Sequence, residues 1–143
     1  MQYENELGKQ ICASIENALK DQFKTKIEYR EGLDNAEFEN MLKNKQEIFG
    51  IVSLDNISPY EMTFNNINLV HNYKLFFTTK YGISNIVYNI MYFWINARRL
   101  SFEIMFNTVS AQPINGEFES YCIMNFSIVN IDLEKINIKF IKG

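Results

Sequence analysis

Along the first 24 residues the apolar positions return every four. Leu7, Ile11, Ile15, Leu19 and Phe23 form one stripe, widened by Ala18, and Glu4, Lys9, Glu16, Lys20 and Asp21 fall on the opposite side. That period predicts an amphipathic helix over residues 3–24, with Gly8 weakening its first turns by roughly 1 kcal/mol relative to alanine. The period then changes to two. Lys26–Arg30 predicts a short strand. Asp34 followed three residues later by Glu37 predicts a helix start, with Phe38, Met41 and Leu42 on its buried side. Gln46–Ile57 predicts a strand that Ser58-Pro59 should break, because proline brings no donor to a ladder.

Strand-like alternation resumes over residues 61–79, with Asn65-Asn66 as a turn or bulge. Leu69, His71, Tyr73, Leu75 and Phe77 share one face, and Asn72, Lys74, Phe76 and Thr78 the other. Gly82-Ile83-Ser84 resembles a strand-to-helix turn, so Ser84 is expected to cap a helix over residues 84–98 that buries Ile86, Val87, Ile90, Met91, Trp94 and Ala97. Fifteen residues are too many for an ordinary uninterrupted strand, which decides for helix against the β-branched and aromatic content. Ser101–Ser110 alternates again. Residues 111–116 carry Pro113 and a terminal Asn-Gly turn signal, and Glu117–Ile131 and Ile136–Phe140 read as two more strands.

The order helix, strand, short helix, two strands, helix, then further strands predicts an α+β fold. Its sheet is mixed or mainly antiparallel, with the long N-terminal helix and a second helix packed on one face. The 143 residues suit a single domain spanning 1–143. No repeat or linker divides the chain.

Composition narrows the function classes. Net charge is −3, and no run of Lys or Arg offers the clustered cations a general nucleic-acid binder needs. The N-terminus is polar and acidic rather than a secretory leader, and the longest apolar stretch, residues 83–97, is interrupted by Ser84, Asn85, Asn89 and Asn96. A soluble chain made in the cytoplasm is expected, with no membrane partner.

Candidate chemistry is sparse. Cys12, Cys122 and the one histidine, His71, are too few for a four-ligand zinc site. Each cysteine lies in an apolar periodic segment, so buried reduced thiols are expected rather than a Cys–His nucleophile and base. His71 on an apolar face is expected to be structural. Glu117 and Glu119 share one side of a strand and could bind a cation or act as acid and base, but near a hairpin tip they read as a solvated edge. Arg98-Arg99 could grip a phosphate, but reads as helix-end solvation. Dinucleotide, P-loop, nucleophile-elbow and calcium-loop motifs are all missing. The expectation is therefore no enzyme, no catalytic, cofactor-binding or metal residue, and no cofactor.

The succession LVHNYKLFFTT, SNIVYNIMYFWINARR, LSFEIMFNTVSAQPI, NGEFES and YCIMNFSIVNI follows an N-terminal amphipathic helix and the strand EIFGIVSLDNIS. This order, over about residues 3–131, resembles the tail terminator or tail completion (head–tail joining) proteins of long-tailed bacteriophages. The segment from Asp34 to Lys45 and the strand after Asp132 depart from the simple pattern. The resemblance implies a structural virion protein forming a homo-oligomeric, hexameric ring at the head-proximal end of a phage tail. Its partners would be copies of itself, the tail tube and neck or connector proteins, with no sequence-specific nucleic acid. The segments Ser58–Asn68 and Gln112–Ser120 are the loops expected to make those contacts. The alternatives are another phage neck or baseplate adaptor, or a small ligand-binding or enzyme domain with a non-local site.

Overall fold

The four-residue stripe of the N-terminus builds α1, Gln2–Leu19, in a computed structural model that describes residues 2–21, 25–42, 48–63, 66–79, 82–96, 103–113 and 120–129. Leu7, Ile11, Ile15 and Leu19 are all buried, as their spacing requires. Seven further elements follow: β1 (Thr25–Glu31), α2 (Asn35–Met41), β2 (Ile48–Thr63), β3 (Asn66–Thr79), α3 (Ile83–Asn96), β4 (Glu103–Pro113) and β5 (Ser120–Val129). The five strands form one sheet in the order β1-β2-β3-β5-β4. β1 runs parallel to β2, and every other neighbouring pair is antiparallel. The α+β class and the mixed sheet are thus as expected.

The two longer helices share one face of the sheet. Their stripes meet Ile27, Val52, Tyr73, Leu75, Phe77, Cys122, Met124, Phe126 and Ile128 in the main core. Trp94 joins the layers: its ring stacks on Phe106 at 5.3 Å and tilts against Phe126 at 5.2 Å. Its Nε1–H donates to Ser14 Oγ at 2.9 Å, and that hydroxyl donates to the Ile11 carbonyl at 2.8 Å. A buried indole donor needs such a partner. Gly8 has a positive role here. A Cβ at this position would run into the Tyr29 ring, so glycine lets α1 lie close against β1.

The short helix α2 lies apart from the two longer ones. It covers the opposite side of the sheet, where Phe38 and Leu42 meet Ile51, Phe76, Tyr121 and Ile123. The reason is that Ile51, Phe76, Tyr121 and Ile123 make one end of the second face apolar, and that end also needs a cover. The Asp34 cap forms as its spacing predicts: Asp34 Oδ1 accepts from the Glu37 N–H at 2.8 Å.

Four expectations need correction. Ser58-Pro59 does not end β2, which continues to Thr63; Pro59 pairs with Leu69 beyond the last residue of β2 that β1 reaches, Leu54. A proline is tolerated on such an outer edge. The segment Ser58–Asn68 is accordingly strand on both sides of residues 64–65, not a loop. Ser84 does not precede α3 but lies within it. Gly82, at φ 93°, makes the turn, and its carbonyl accepts from the Ile86 N–H at 3.4 Å. β4 runs through Ala111 to Pro113, into the start of the segment Gln112–Ser120 that was expected to be a loop. Residues 114–119, with Glu117, Glu119 and most of the second contact loop, lie outside the described residues, as do Arg98-Arg99 and the strand expected at Ile136–Phe140.

Candidate functional site

Three surfaces remain after the core is assigned. The first is the part of the sheet that α2 leaves open. Asn107 on β4 donates to Ser127 Oγ on β5 at 3.0 Å. Ser127 donates to Asn72 Oδ1 on β3 at 2.6 Å, and Asn72 Nδ2 donates to Asn56 Oδ1 on β2 at 2.7 Å. One chain of side chains therefore crosses four strands. Beside it Asn125 Nδ2 donates to Thr108 Oγ1 at 3.0 Å, and Lys74 Nζ lies 3.6 Å from Asp55 Oδ1.

Backbone irregularities set up this strip. In the β2–β3 register Leu54 faces Tyr73 and Asn56 faces Asn72, so Asp55 is an extra residue. In the β4–β5 register Phe106 faces Phe126 and Thr108 faces Asn125, so Asn107 is another. Each bulge reverses which side the following residues face. Past Asp55, Ile57 turns toward the helix side and Asn56 toward the polar strip.

A groove of about 530 Å³ adjoins the strip, lined among others by Leu33, Asp34, Ser53, Asp55 and Lys74. Four of its polar side chains are engaged within the fold. Ser53 Oγ accepts from the Leu33 N–H at 3.0 Å, Asp34 caps α2, and Lys74 pairs with Asp55.

The second surface is an arm. β1 leaves β2 at the Glu31–Leu54 pair, and β5 leaves β3 at the Ile128–His71 pair. β2 and β3 nevertheless stay paired to Thr63–Asn66. Among the described residues the hairpin so extends roughly 17 Å past its last flanking strand, at about 3.3 Å per residue. On one face of it Ile57 is 39% and Leu69 40% exposed.

The third surface is the outer side of α3. Tyr88, Tyr92 and Ile95 are 68%, 61% and 75% exposed, and the two tyrosine rings stack at 6.1 Å.

Of the residues singled out for chemistry, the three described ones, His71, Cys12 and Cys122, are not brought together. His71 is fully buried on the helix side of β3, at the Ile128 pair, and Cys122 faces Phe77 six residues away along β5, roughly 20 Å at strand spacing. Cys12 sits against the backbone of Val52, whose partner Leu75 is four residues along β3 from His71, roughly 13 Å. Burial, reinforced by the nearby Glu16 carboxylate, pushes the Cys12 thiol from 9.0 up to about 12. Burial pushes Cys122 from 9.0 up to about 11. Both thiols are therefore protonated at neutral pH, the opposite of what a nucleophile needs. Tyr121, desolvated and donating to Glu39 Oε1 at 3.1 Å, is pushed from 10.0 up to about 12. Among the described residues no three His, Cys, Asp or Glu side chains gather as metal ligands, and no helix is long and apolar enough to cross a membrane.

Sequence reasoning missed the polar strip, the arm and the neutral face of α3. The only advance signal for the last was the absence of charge from residues 83–96.

No protein-family model matches the chain, and no curated protein does. Among solved structures, a crystal structure from Akkermansia muciniphila aligns over 89% of this chain and 76% of its own, at 11% identity and a TM-score of 0.35. A second structure from Akkermansia muciniphila, solved without its transmembrane region, aligns over 97% and 86%, at 8% identity and a TM-score of 0.32. Similarity at this level carries no functional argument.

Proposed function

We propose that the chain is a structural subunit that works by binding copies of itself and neighbouring proteins rather than by catalysis. The observation that carries this reading is the β2–β3 arm. An isolated two-stranded ribbon is marginal in water, yet among the described residues this one projects past its flanking strands with Ile57 and Leu69 partly exposed on one face. Docking on another subunit would cover that apolar face. Such a contact joins unlike surfaces on successive copies, and heterologous contacts close rings when their rotation completes a circle.

In its specific form, suggested by the order of elements, the subunit is a tail terminator or tail completion protein. Six copies close a ring at the head-proximal end of a phage tail, between tail tube and neck proteins. The thiol chemistry agrees with a non-catalytic role, since Cys12 and Cys122 are buried and held protonated.

The test is the mass of the purified chain by light scattering, with and without the paired change Ile57→Asp and Leu69→Asp. The expected result is a discrete oligomer near six subunits that the paired change reduces to smaller species, with the far-ultraviolet spectrum preserved. An oligomer of unchanged mass in the variant would remove the arm from assembly. A chain with turnover on a small substrate would sink the reading as a whole.

A further inference from the structure

α3 shows two unlike sides. Ile86, Ile90 and Trp94 are buried under it, and Ile83, Val87 and Phe93 pack at its flanks. Tyr88, Tyr92 and Ile95 point the other way, spaced by four and three residues, so they form one ridge about two turns long. At the chain's 22% charged content, fourteen residues would carry about three charges; Ile83–Asn96 carries none. The rest of the outer face is Ser84, Asn85 and Asn96, all exposed. An exposed helix face normally holds charged residues that keep it in water.

The two sheet edges, by contrast, are guarded. On β1 the Ile27 N–H is taken by Glu16 Oε1 at 2.9 Å, and Lys26, Glu28 and Arg30 form ion pairs. β4 carries the bulge at Asn107 and ends in Pro113. Charge, bulges and proline all discourage strand addition at an edge. The α3 face has no such device.

We infer that the outer face of α3 is a contact between two copies of this chain, the α3 helices packing antiparallel about a two-fold axis near Tyr92. Neutrality selects the occupant. A charged partner surface would lose hydration against this ridge without gaining an ion pair, whereas a second copy sets neutral against neutral. Symmetry then makes the pairing self-complementary, with Tyr88 of each copy near Ile95 of the other. Two tyrosines and an isoleucine about two-thirds exposed, with the flanking asparagines, supply roughly 500 Å² per copy, or ~1,000 Å² per pair. That is the lower bound of a specific interface, so the pair is expected to be concentration-dependent.

The inference rests on the reading of the chain as an assembly subunit but uses a different surface. The two contacts have different signatures, because a two-fold contact closes at two copies and the arm contact does not.

The experiment is light scattering over a concentration series on the full chain, on Tyr92→Glu, on Tyr92→Lys, on an equimolar mixture of the two, and on Asn17→Lys as a control on the exposed face of α1. The expected wild-type result is a mass that includes a doubling between about 10 µM and 1 mM, the range for an interface of this size. Each Tyr92 variant should lose that doubling, since like charges then meet at the axis. The mixture should regain it, and Asn17→Lys should leave it intact. Thermal midpoints near that of wild type establish that the variants fold. Three results overturn the inference. A wild type without a doubling leaves α3 to another occupant. A doubling that survives both Tyr92 variants places the contact elsewhere while assembly itself stands. Loss in both variants without recovery in the mixture removes the two-fold axis.

Discussion

α1 and α3 lie on the same face of the same sheet and bury equivalent stripes, yet their outer sides are opposites. The outer side of α1 carries exposed Glu6 and Lys9, 3.9 Å apart, with exposed Lys20 and Asp21 in the turn after it. Its Glu16 also reaches down to take the Ile27 N–H at the sheet edge. The outer side of α3 carries Tyr88, Tyr92 and Ile95 and no charge. Burial constrains the inner stripe of any packed helix, so the two helices are alike there. The outer side is free of that constraint, and the difference between them marks where the protein meets water and where it meets protein.

The comparison can be broken hardest from the shared inner side. Trp94→Ala should cost about 3–5 kcal/mol, measured by urea denaturation, because it empties the space against Phe106 and Phe126 and strips Ser14 of its indole donor. Trp94→Phe keeps most of the packing and should cost about 1–2 kcal/mol, mainly for the lost hydrogen bond. If both changes were neutral, α3 would not be seated as described.

Gly8→Ala sharpens the α1 side, because two effects oppose each other there. Helix propensity favours alanine by about 1 kcal/mol. The Tyr29 ring leaves no room for the methyl group, and overpacking costs about 1–3 kcal/mol. Net destabilisation is expected by the same urea assay, and a stabilised variant would show that α1 does not approach β1 so closely.

The smallest effect on the monomer should come from the outer side. Tyr92→Lys should change unfolding free energy by no more than about 0.5 kcal/mol, read under dilute conditions where copies are apart. A large loss there would mean that Tyr92 supports its own subunit rather than a second one.

Legibility followed the same division. The stripes of α1 and α3, the alternation of β3 and β5 and the Asp34 cap could be read from spacing alone, because burial and backbone hydrogen bonding act on neighbours in sequence. The continuation of β2 past Pro59 could not. Proline's missing donor matters only where a strand lies on that side, and no residue near Pro59 reveals that β1 ends at Glu31, opposite Leu54. The placement of α2 on the second face was equally hidden, since it follows from the demand of Phe76, Tyr121 and Ile123 for cover.

The bulges show the limit most clearly. Asp55 and Asn107 read as ordinary members of alternating runs. Only the pairing of β2 with β3 and of β4 with β5 makes them extra residues and aligns Asn56, Asn72, Ser127 and Asn107 into one strip. Asparagines far apart in the chain become a continuous polar surface through that register.

By itself, then, the sequence determined the class of fold, the main helices and strands and the inward sides of α1, α3 and β3, because periodicity records which residues must leave water. The tertiary structure decided the strand order, the second helical face, the arm and the strip. These depend on which strands end beside which others, and contacts between distant segments leave no period in the chain.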